Sequence, residues 1–151
     1  IVSQAGEFSI KGISIKGVQS YHDDQGGSKR GLNIIYVIEM DGIRVCHCGD
    51  LGHSLTQEQI DRMGEVDVLL IPVGGTYTID AETAAGIVRK IEPSIAVPMH
   101  YKTDKIDFPI DGVDKFLEIM GEGDRLNTNT FEITERDIRE KDTRVVVLNY
   151  K

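Results

Sequence analysis

Hydrophobic and polar residues alternate along the first third of the chain with the two-residue period of a half-buried strand. The alternation is clearest where Ile13 and Ile15 are interleaved with Ser14 and Lys16. Their spacing predicts extended strands, and Asp41-Gly42 is a strong signal for a two-residue hairpin turn between the last two. The predicted strands cover residues 7–11, 13–21, 33–40 and 43–48. No obvious helix covers the opening strands, so we expect them to pack against something outside this sequence.

From residue 49 the pattern changes to helices with one apolar side and strands that are apolar throughout. Thr56, with Gln59 three residues later, resembles a capping box that opens a helix to residue 63. Asp80 can cap a second helix to residue 91. Continuous apolar runs are typical of strands covered on both faces. The other predicted elements are strands over residues 67–72, 94–99 and 143–149 and a helix over residues 111–120. This order predicts an α/β fold, a mixed β-sheet with flanking helices.

Length and net charge limit the class of protein to which this sequence can belong. A chain of 151 residues fits one domain. Its net charge of −8 opposes binding to nucleic acid or to an anionic membrane. No apolar run approaches the ~20 residues that a membrane helix needs. The chain shows no signal peptide and does not begin with Met, so we expect that residues before Ile1 were removed, processed or never included.

The two cysteines, Cys46 and Cys48, lie two residues apart on a predicted strand. This geometry separates their Cα atoms by roughly 6–7 Å in the wrong shape for a disulfide. We therefore interpret them as reduced thiols packed beneath a strand of a cytoplasmic protein. A Cys-x-Cys metal site is the alternative, but the sequence has no second cysteine pair to complete it.

Three predicted strands are followed by residues that bind metals: His22, Asp50 and His100. Strand ends are where α/β proteins gather ligands, because the sheet holds them rigidly while the loops vary. Two imidazoles and a carboxylate suit zinc, with manganese or iron as alternatives. Gly49 and Gly52 flank Asp50 and allow a sharp turn that brings the carboxylate inward. The structural alternatives are surface or core histidines and an Asp50 that only caps the turn.

Other polar residues near these positions are candidates for supporting roles. His53 is expected either to hold a metal ligand in place or to contact substrate. The segment over residues 73–76 lacks the spacing of a dinucleotide-binding loop and the lysine of a P-loop, so we interpret it as a tight strand-to-helix connection. Four residues are candidates to bind an anionic group of a small-molecule substrate, with solvated surface charge as the alternative: Tyr101, Lys102, Lys29 and Arg30.

Four motifs occur together in an order and strand context that resembles the metallo-β-lactamase superfamily. They are Tyr21-His22-Asp23-Asp24, His47-Cys48-Gly49-Asp50-Leu51-Gly52-His53, Ile71-Pro72-Val73-Gly74-Gly75 and Pro98-Met99-His100-Tyr101-Lys102-Thr103. The resemblance covers about residues 5–105. It points to the branch of Zn-dependent hydrolases related to the ascorbate-6-phosphate lactonase.

The resemblance implies that residues 1–151 are the C-terminal half of a four-layer αβ/βα sandwich that holds two zinc ions. In that family His22 matches a ligand of the first metal and His100 a ligand of the second. Asp50 matches the bridging carboxylate, and we take it as the catalytic residue. Metal-bound water or hydroxide would attack an ester, a lactone or a phosphodiester.

The chain departs from the family in one large respect, because the family's His-x-His-x-Asp-His motif occurs nowhere in it. Two ligands would remain for each ion, fewer than a catalytic zinc site has. We therefore predict that this chain alone binds zinc weakly and is inactive, whereas the full-length parent is a hydrolase.

A missing half also predicts that apolar strands such as residues 68–71 are partly exposed. We expect homo-oligomers or pairing with the missing N-terminal half. The alternatives for function are a non-catalytic oligomerisation or binding module and a nucleic-acid-processing hydrolase, which the acidic balance opposes.

Overall fold

The computed structural model describes residues 1–121, 123–138 and 142–150, and its strands form one eight-stranded mixed sheet with helices against it. The elements are β1 (Gly6–Ile10), β2 (Ile13–Tyr21), β3 (Leu32–Met40), β4 (Ile43–His47), α1 (Gln57–Met63), β5 (Val68–Pro72), α2 (Ala81–Ile91), β6 (Ile95–Met99), α3 (Asp114–Met120), β7 (Asp124–Arg125) and β8 (Arg144–Val147). The strand order across the sheet is β1-β2-β3-β4-β5-β6-β8-β7. This architecture confirms the predicted α/β class and the mixed sheet with flanking helices.

Strand direction determines where the loops meet. Neighbours from β1 to β4 are antiparallel, whereas β4, β5, β6 and β8 are parallel in turn. Since β2 and β4 both run opposite to β3, they run in the same direction as each other. The carboxyl ends of β2, β4, β5 and β6 therefore lie at one edge of the sheet, which we call the carboxyl edge.

All three helices contribute to a core on one face of the sheet, the helix face. Met63 of α1, Val88 of α2 and Phe116 of α3 are buried there together with Leu69 and Ile71 of β5. The same core includes Val18, Ile35 and Val37 from the opening strands. The Gln59 side chain of α1 donates to the Gln19 carbonyl of β2 at 2.9 Å. The expectation that no helix covers the opening strands was therefore wrong on this face.

The opposite face is covered over β5 and β6. Val68, Ile95, Val97 and Val146 are buried there, and the partly buried side chains of Leu126, Phe131 and Ile133 pack against them. Val68 is 2% exposed, and Leu69 and Ile71 are fully buried. The expected partial exposure of residues 68–71 was therefore wrong for these three, because helices cover one side and residues 126–133 supply a cover on the other.

Over β1, β2 and β3 the same opposite face lacks a comparable cover among the described residues, although residues 2–5 pass over it at Gly17 and Tyr36. Ile15 pairs with Phe8 on one side and with Ile38 on the other, so these side chains share a face. Each of the three is only partly buried, and Met40 is 50% exposed. We call this surface the open face, and its members are Phe8, Ile10, Ile13, Ile15, Ile34, Tyr36, Ile38 and Met40.

Local sequence signals predicted the bounds of most helices and strands to within a few residues of those in the structure. The capping box of Thr56 and Gln59 is present, Asp80 accepts from the Thr83 backbone, and Asp41 and Gly42 both have positive φ in the hairpin turn. Helix α3 begins at Asp114 instead of residue 111. The Asp111 N–H donates to the Gly74 carbonyl, and the Asp111 carbonyl accepts from the Lys102 N–H. These two hydrogen bonds hold Asp111 in a loop. Strand β7 was not predicted.

Cys46 and Cys48 are buried and unpaired in the described part of the chain, which confirms the prediction of free thiols. None of the helices within residues 1–121, 123–138 and 142–150 has the length and apolar character needed to cross a bilayer. The cytoplasmic location stays a prediction.

Candidate metal centre

The three candidate ligands follow three strands at the carboxyl edge. His22 follows β2, Asp50 comes shortly after β4, and His100 follows β6. Strands β2 and β4 are separated by β3, which places them about 10 Å apart at the usual strand spacing. Their loops nevertheless bring His22 Nε2 to 4.0 Å from Asp50 Oδ2. Two ligands of one tetrahedral zinc ion lie about 3.3 Å apart, so a shift of about 0.7 Å would let a single ion reach both atoms.

Two imidazole nitrogens in this region are buried and unsatisfied. His22 Nε2 and His100 Nδ1 have no hydrogen-bond partner among the residues that the structure describes. A buried polar atom without a partner costs about 1–3 kcal/mol. The lone pair of a neutral imidazole is a common metal ligand, so a cation would satisfy each nitrogen. The donor chemistry of the site therefore fits a transition metal.

The described residues do not supply a complete ligand set. Within residues 1–121, 123–138 and 142–150, no group of three or more His, Cys, Asp or Glu side chains is arranged to hold a metal ion. His22 and Asp50 lie close together, but His100 does not join them in a cluster of three ligands. The structure thus brings two of the three predicted ligands together.

The loop that carries Asp50 depends on its two glycines in different ways. Gly49 has a φ of +60°, and a Cβ there would lie 2.4 Å from Asn33 Oδ1. Gly52 does not have a positive φ; a Cβ there would lie 2.3 Å from the His22 carbonyl carbon. The turn expected at Gly49 is confirmed, whereas Gly52 is needed so that this loop can approach the His22 backbone closely.

Asn33 holds the Asp50 loop from the neighbouring strand. Its Oδ1 accepts from the Asp50 backbone N–H at 3.1 Å. Its Nδ2 donates to the Cys48 carbonyl and to Ser20 Oγ, both at 2.8 Å. One amide thus links the strand that precedes His22 to the loop that carries Asp50. Sequence reasoning missed Asn33, because at the start of a strand it carries no periodic or motif signal.

His53 braces the backbone just before His22. Its Nε2 accepts from the Tyr21 N–H at 3.1 Å, and its Nδ1 lies 2.7 Å from the Ser54 carbonyl, to which it donates in the neutral tautomer. The Gly52 N–H donates to the Tyr21 carbonyl at 2.9 Å. Both ring nitrogens are engaged with backbone, which leaves His53 to hold the His22 segment in place.

His100 has an unusual backbone conformation. Its φ is +51°, in the left-handed region, which costs a non-glycine residue about 1–2 kcal/mol. The β5–α2 connection presses against it, since a Cβ on Gly74 would lie 2.2 Å from the His100 carbonyl oxygen. The Val73 N–H donates to the Met99 carbonyl at 3.1 Å and fixes the same junction. Such conformations persist where the surroundings enforce them, typically at functional sites.

The loop after His22 folds around a buried carboxylate. Asp23 is 3% exposed. Its oxygens accept four backbone N–H groups, those of Gln25, Gly27, Lys29 and Arg30. Burial raises the pKa of Asp23, but the four hydrogen bonds outweigh it and lower the pKa to about 2. The carboxylate is therefore ionised at neutral pH and organises the whole loop.

The four candidates for anion binding fall into two cavities of about 430 Å³ each. Lys29 and Arg30 line one together with His53. Tyr101 and Lys102 line the other. The Tyr101 hydroxyl donates to the Leu148 carbonyl at 3.4 Å, and Lys102 Nζ donates to the Phe108 carbonyl at 3.0 Å. The structure therefore separates these two pairs.

Comparison with known proteins gives a consistent result. A model of the beta-lactamase superfamily domain matches residues 1–100. A UPF0173 metal-dependent hydrolase of Thermoplasma acidophilum is 36% identical over 103 residues, which are 68% of this chain and 46% of that protein. A relative with the same name in Thermococcus onnurineus is 34% identical over 100 residues, 65% of this chain and 45% of that protein.

A solved structure from Thermotoga maritima, of a protein proposed to be a Zn-dependent hydrolase of the metallo-beta-lactamase superfamily, superposes with a TM-score of 0.84. Its sequence is 38% identical, and the superposition covers 98% of this chain and 72% of that one. The chain spans about half the length of the curated relatives it matches.

Proposed function

The chain belongs to the metallo-β-lactamase superfamily, and on that premise we propose that it is part of a metal-dependent hydrolase whose metal centre lies at the carboxyl edge. The observation that carries the proposal is the pair of buried imidazole nitrogens, His22 Nε2 and His100 Nδ1, that find no partner among the described residues. Core histidines with a structural role are normally hydrogen-bonded. A non-catalytic binding module would explain the open face but gives no reason for these two nitrogens.

Each ligand has a distinct part in the proposed site. The imidazoles of His22 and His100 supply neutral nitrogen donors, and Asp50 supplies the negative charge that a site for two cations needs. This donor set suits zinc, with manganese or iron as alternatives. A bound divalent cation supplies a Lewis acid and an activated water, the chemistry that cleaves esters, lactones and phosphodiesters. Asn33 and His53 keep the ligand-bearing loops in register with each other.

We infer that further ligands come from outside these 151 residues. The chain spans 46% of its Thermoplasma relative, and the His-x-His-x-Asp-His motif does not occur in its sequence. With two protein ligands for each ion, the affinity for zinc should be micromolar or weaker, and the chain alone should not hydrolyse substrate.

A calorimetric zinc titration of the 151-residue chain tests this proposal. His22→Ala, His100→Ala and Asp50→Asn should each weaken binding about tenfold or more, since each removes one of few ligands. The matched control is Asp61→Asn, because Asp61 is an exposed carboxylate on α1 and not in the loops that carry the proposed ligands. Sub-micromolar binding by the unmodified chain would contradict the incomplete ligand set. Equal affinity in all variants would contradict the site.

The hydrolytic part of the proposal needs a protein that also carries the His-x-His-x-Asp-His residues. Such a protein should hydrolyse at least one member of a panel of esters, lactones and phosphodiesters. A chelator should abolish that activity, and zinc, manganese or iron should restore it. Turnover that persists in chelator would exclude a metal-dependent reaction.

We further infer that the open face is covered in the working protein. Isolated apolar residues are common on protein surfaces, but Phe8, Ile15, Ile34 and Ile38 are contiguous across three strands. Contiguous apolar patches mark contacts with other protein surfaces. A second copy of this chain is the favoured cover, and residues outside the 151 are the alternative.

A further inference from the structure

One of the two cavities lies directly beside the loops that carry the proposed ligands. Its walls include Gly52, which lies against the His22 backbone. They also include Gly75, which follows Gly74, the residue that lies against the His100 backbone. The remaining wall is formed by the loop between β2 and β3, through Lys29 and Arg30. Its volume of about 430 Å³ is within the range of small-molecule sites.

Two of the three carboxylates lining this cavity are already occupied. Asp23 accepts four backbone N–H groups of its own loop, and Asp80 accepts from the Thr83 N–H at 2.9 Å as the cap of α2. Both charges are thus partly offset by peptide dipoles, although Asp80, like Asp24, is exposed. In contrast, neither Lys29 nor Arg30 forms an ion pair within the described ranges of the chain, although both are exposed.

Arg30 is held in place by aromatic residues of two other loops. Its guanidinium carbon lies 5.4 Å from the centre of the Tyr77 ring, within cation–π range. Tyr77 in turn makes an edge-on contact with Phe108 at 6.3 Å between ring centres. Thr76 Oγ1 donates to the Pro109 carbonyl at 2.7 Å and ties these two loops together.

The backbone that presents Tyr77 is also constrained. Thr76 has a φ of +57°, and the Tyr77 N–H donates to the Gly75 carbonyl at 2.6 Å in a tight turn. The Gly75 N–H donates to the Ile79 carbonyl at 3.1 Å. These amides are engaged inside the loop, so recognition of a ligand here would fall to the side chains. A left-handed non-glycine residue beside a cavity is a feature of ligand sites.

From this arrangement we propose that the cavity binds an oxyanion of the substrate, phosphate or carboxylate, and that Arg30 recognises it with support from Lys29. A guanidinium presents a rigid fork that matches such a group, and contact with the Tyr77 ring preorganises it. The inference that the oxyanion belongs to a hydrolase substrate rests on the proposed function. The inference that the cavity binds an oxyanion is independent of it. Arg30 and Lys29 would therefore select which molecule is presented to the metal centre.

The test is a titration of the chelator-treated 151-residue chain with inorganic phosphate and, separately, with acetate, followed by ¹H–¹⁵N NMR. Phosphate should shift the signals of Lys29, Arg30 and Tyr77, and acetate should bind more weakly at the same residues because it carries less charge. Arg30→Gln should weaken phosphate binding about tenfold, and Lys29→Gln about threefold, since each removes one exposed charge. Lys11→Gln is the matched control, because Lys11 is an exposed lysine in the turn between β1 and β2, away from the cavity.

Three outcomes would overturn the proposal. The first is phosphate binding to the wild type that is unaffected by Arg30→Gln while the variant keeps wild-type spectral dispersion. The second is phosphate binding that occurs only after zinc is added. The third is the absence of any phosphate binding. A failure of the metal centre would instead show as loss of zinc binding in the calorimetric experiment, with phosphate binding to the metal-free chain intact.

Discussion

The two halves of the sheet are built alike on one face and differently on the other. Across β5, β6 and β8, helices cover the first face and Phe131, Ile133 and Leu126 pack against the second. Across β2 and β3, the core formed with the helices covers the first face, and the second belongs to the open face. The first half pairs its strands in parallel and the second in antiparallel fashion, but both belong to one hydrogen-bonded sheet. What separates them on the second face is side-chain burial.

The proposed metal centre lies where these two halves meet. His22 follows a strand of the open half, His100 follows a strand of the covered half, and Asp50 follows β4 between them. A cover over the open face would therefore also support β2, the strand that presents His22. The covered half can therefore have a complete hydrophobic core while the proposed metal centre, at its border with the open half, still lacks ligands.

The largest expected contrast is in stability. Ile71→Ala should lower the free energy of unfolding by about 2–5 kcal/mol, because Ile71 is fully buried in the covered half. Ile38→Ala on the open face should lower it by about 1 kcal/mol, since the partly buried Ile38 side chain removes less area from water. Urea unfolding at low protein concentration measures both. Equal losses for the two variants would show that the open face is as well packed as the core.

The open face should also control self-association. At concentrations where the wild type sediments as a dimer, Ile38→Arg should sediment as a monomer, because a charge inside an apolar contact is unpaired. Gln57→Arg, on an exposed position of α1, adds the same single charge as the matched control and should remain dimeric. A wild type that stays monomeric at high concentration in analytical ultracentrifugation would reject a second copy as the cover.

Most of the fold followed from local signals in the sequence. Alternation defined β2, the Asp41-Gly42 pair defined the hairpin, and side-chain caps at Thr56 and Asp80 fixed two helix starts. Strand β7 has only two residues, too few to show a period. The cover from Phe131 and Ile133 was missed because residues 126–133 have no regular pattern and act only through long-range packing.

A smaller effect is expected at the amide that links the two loops of the site. Asn33→Ala removes the acceptor for the Asp50 N–H and the donor to Cys48 and Ser20. Loss of a residue that orients a ligand typically weakens metal binding 10–100-fold, and we expect about tenfold here. Asn127→Ala, in an exposed loop, is the control. Unchanged zinc affinity in a folded Asn33→Ala protein would mean that Asp50 needs no support from this strand.

The smallest expected effect concerns the helix that covers β5. A hydrogen bond from Thr83 lowers the pKa of Asp80 below its ordinary value, so the folded state favours the ionised carboxylate. Its contribution is therefore present above about pH 4 and is lost as the pH falls through the lowered pKa. Asp80→Ala should cost about 1 kcal/mol at pH 7 and almost nothing once the carboxyl is protonated. A loss that is independent of pH would assign the effect to something other than the ionised cap.

The sequence indicated the positions of the candidate ligands along the strands better than their geometry. His22, Asp50 and His100 are where strand ends predicted them, and Gly49 turns the chain as expected. The sequence did not reveal that Gly52 is needed for contact with the His22 backbone. It also did not reveal that both nitrogens of His53 are engaged with backbone groups. These features depend on contacts between loops that are distant in sequence, for which no periodicity exists.

The central claim is that metal ions bind two specific imidazole nitrogens, and ¹⁵N NMR of the histidine rings tests it most directly. On zinc addition, His22 Nε2 and His100 Nδ1 should shift as metal-bound nitrogens, whereas the ring nitrogens of His53 and His47 should not move. Shifts at His53 or His47, with His22 and His100 unchanged, would contradict the account.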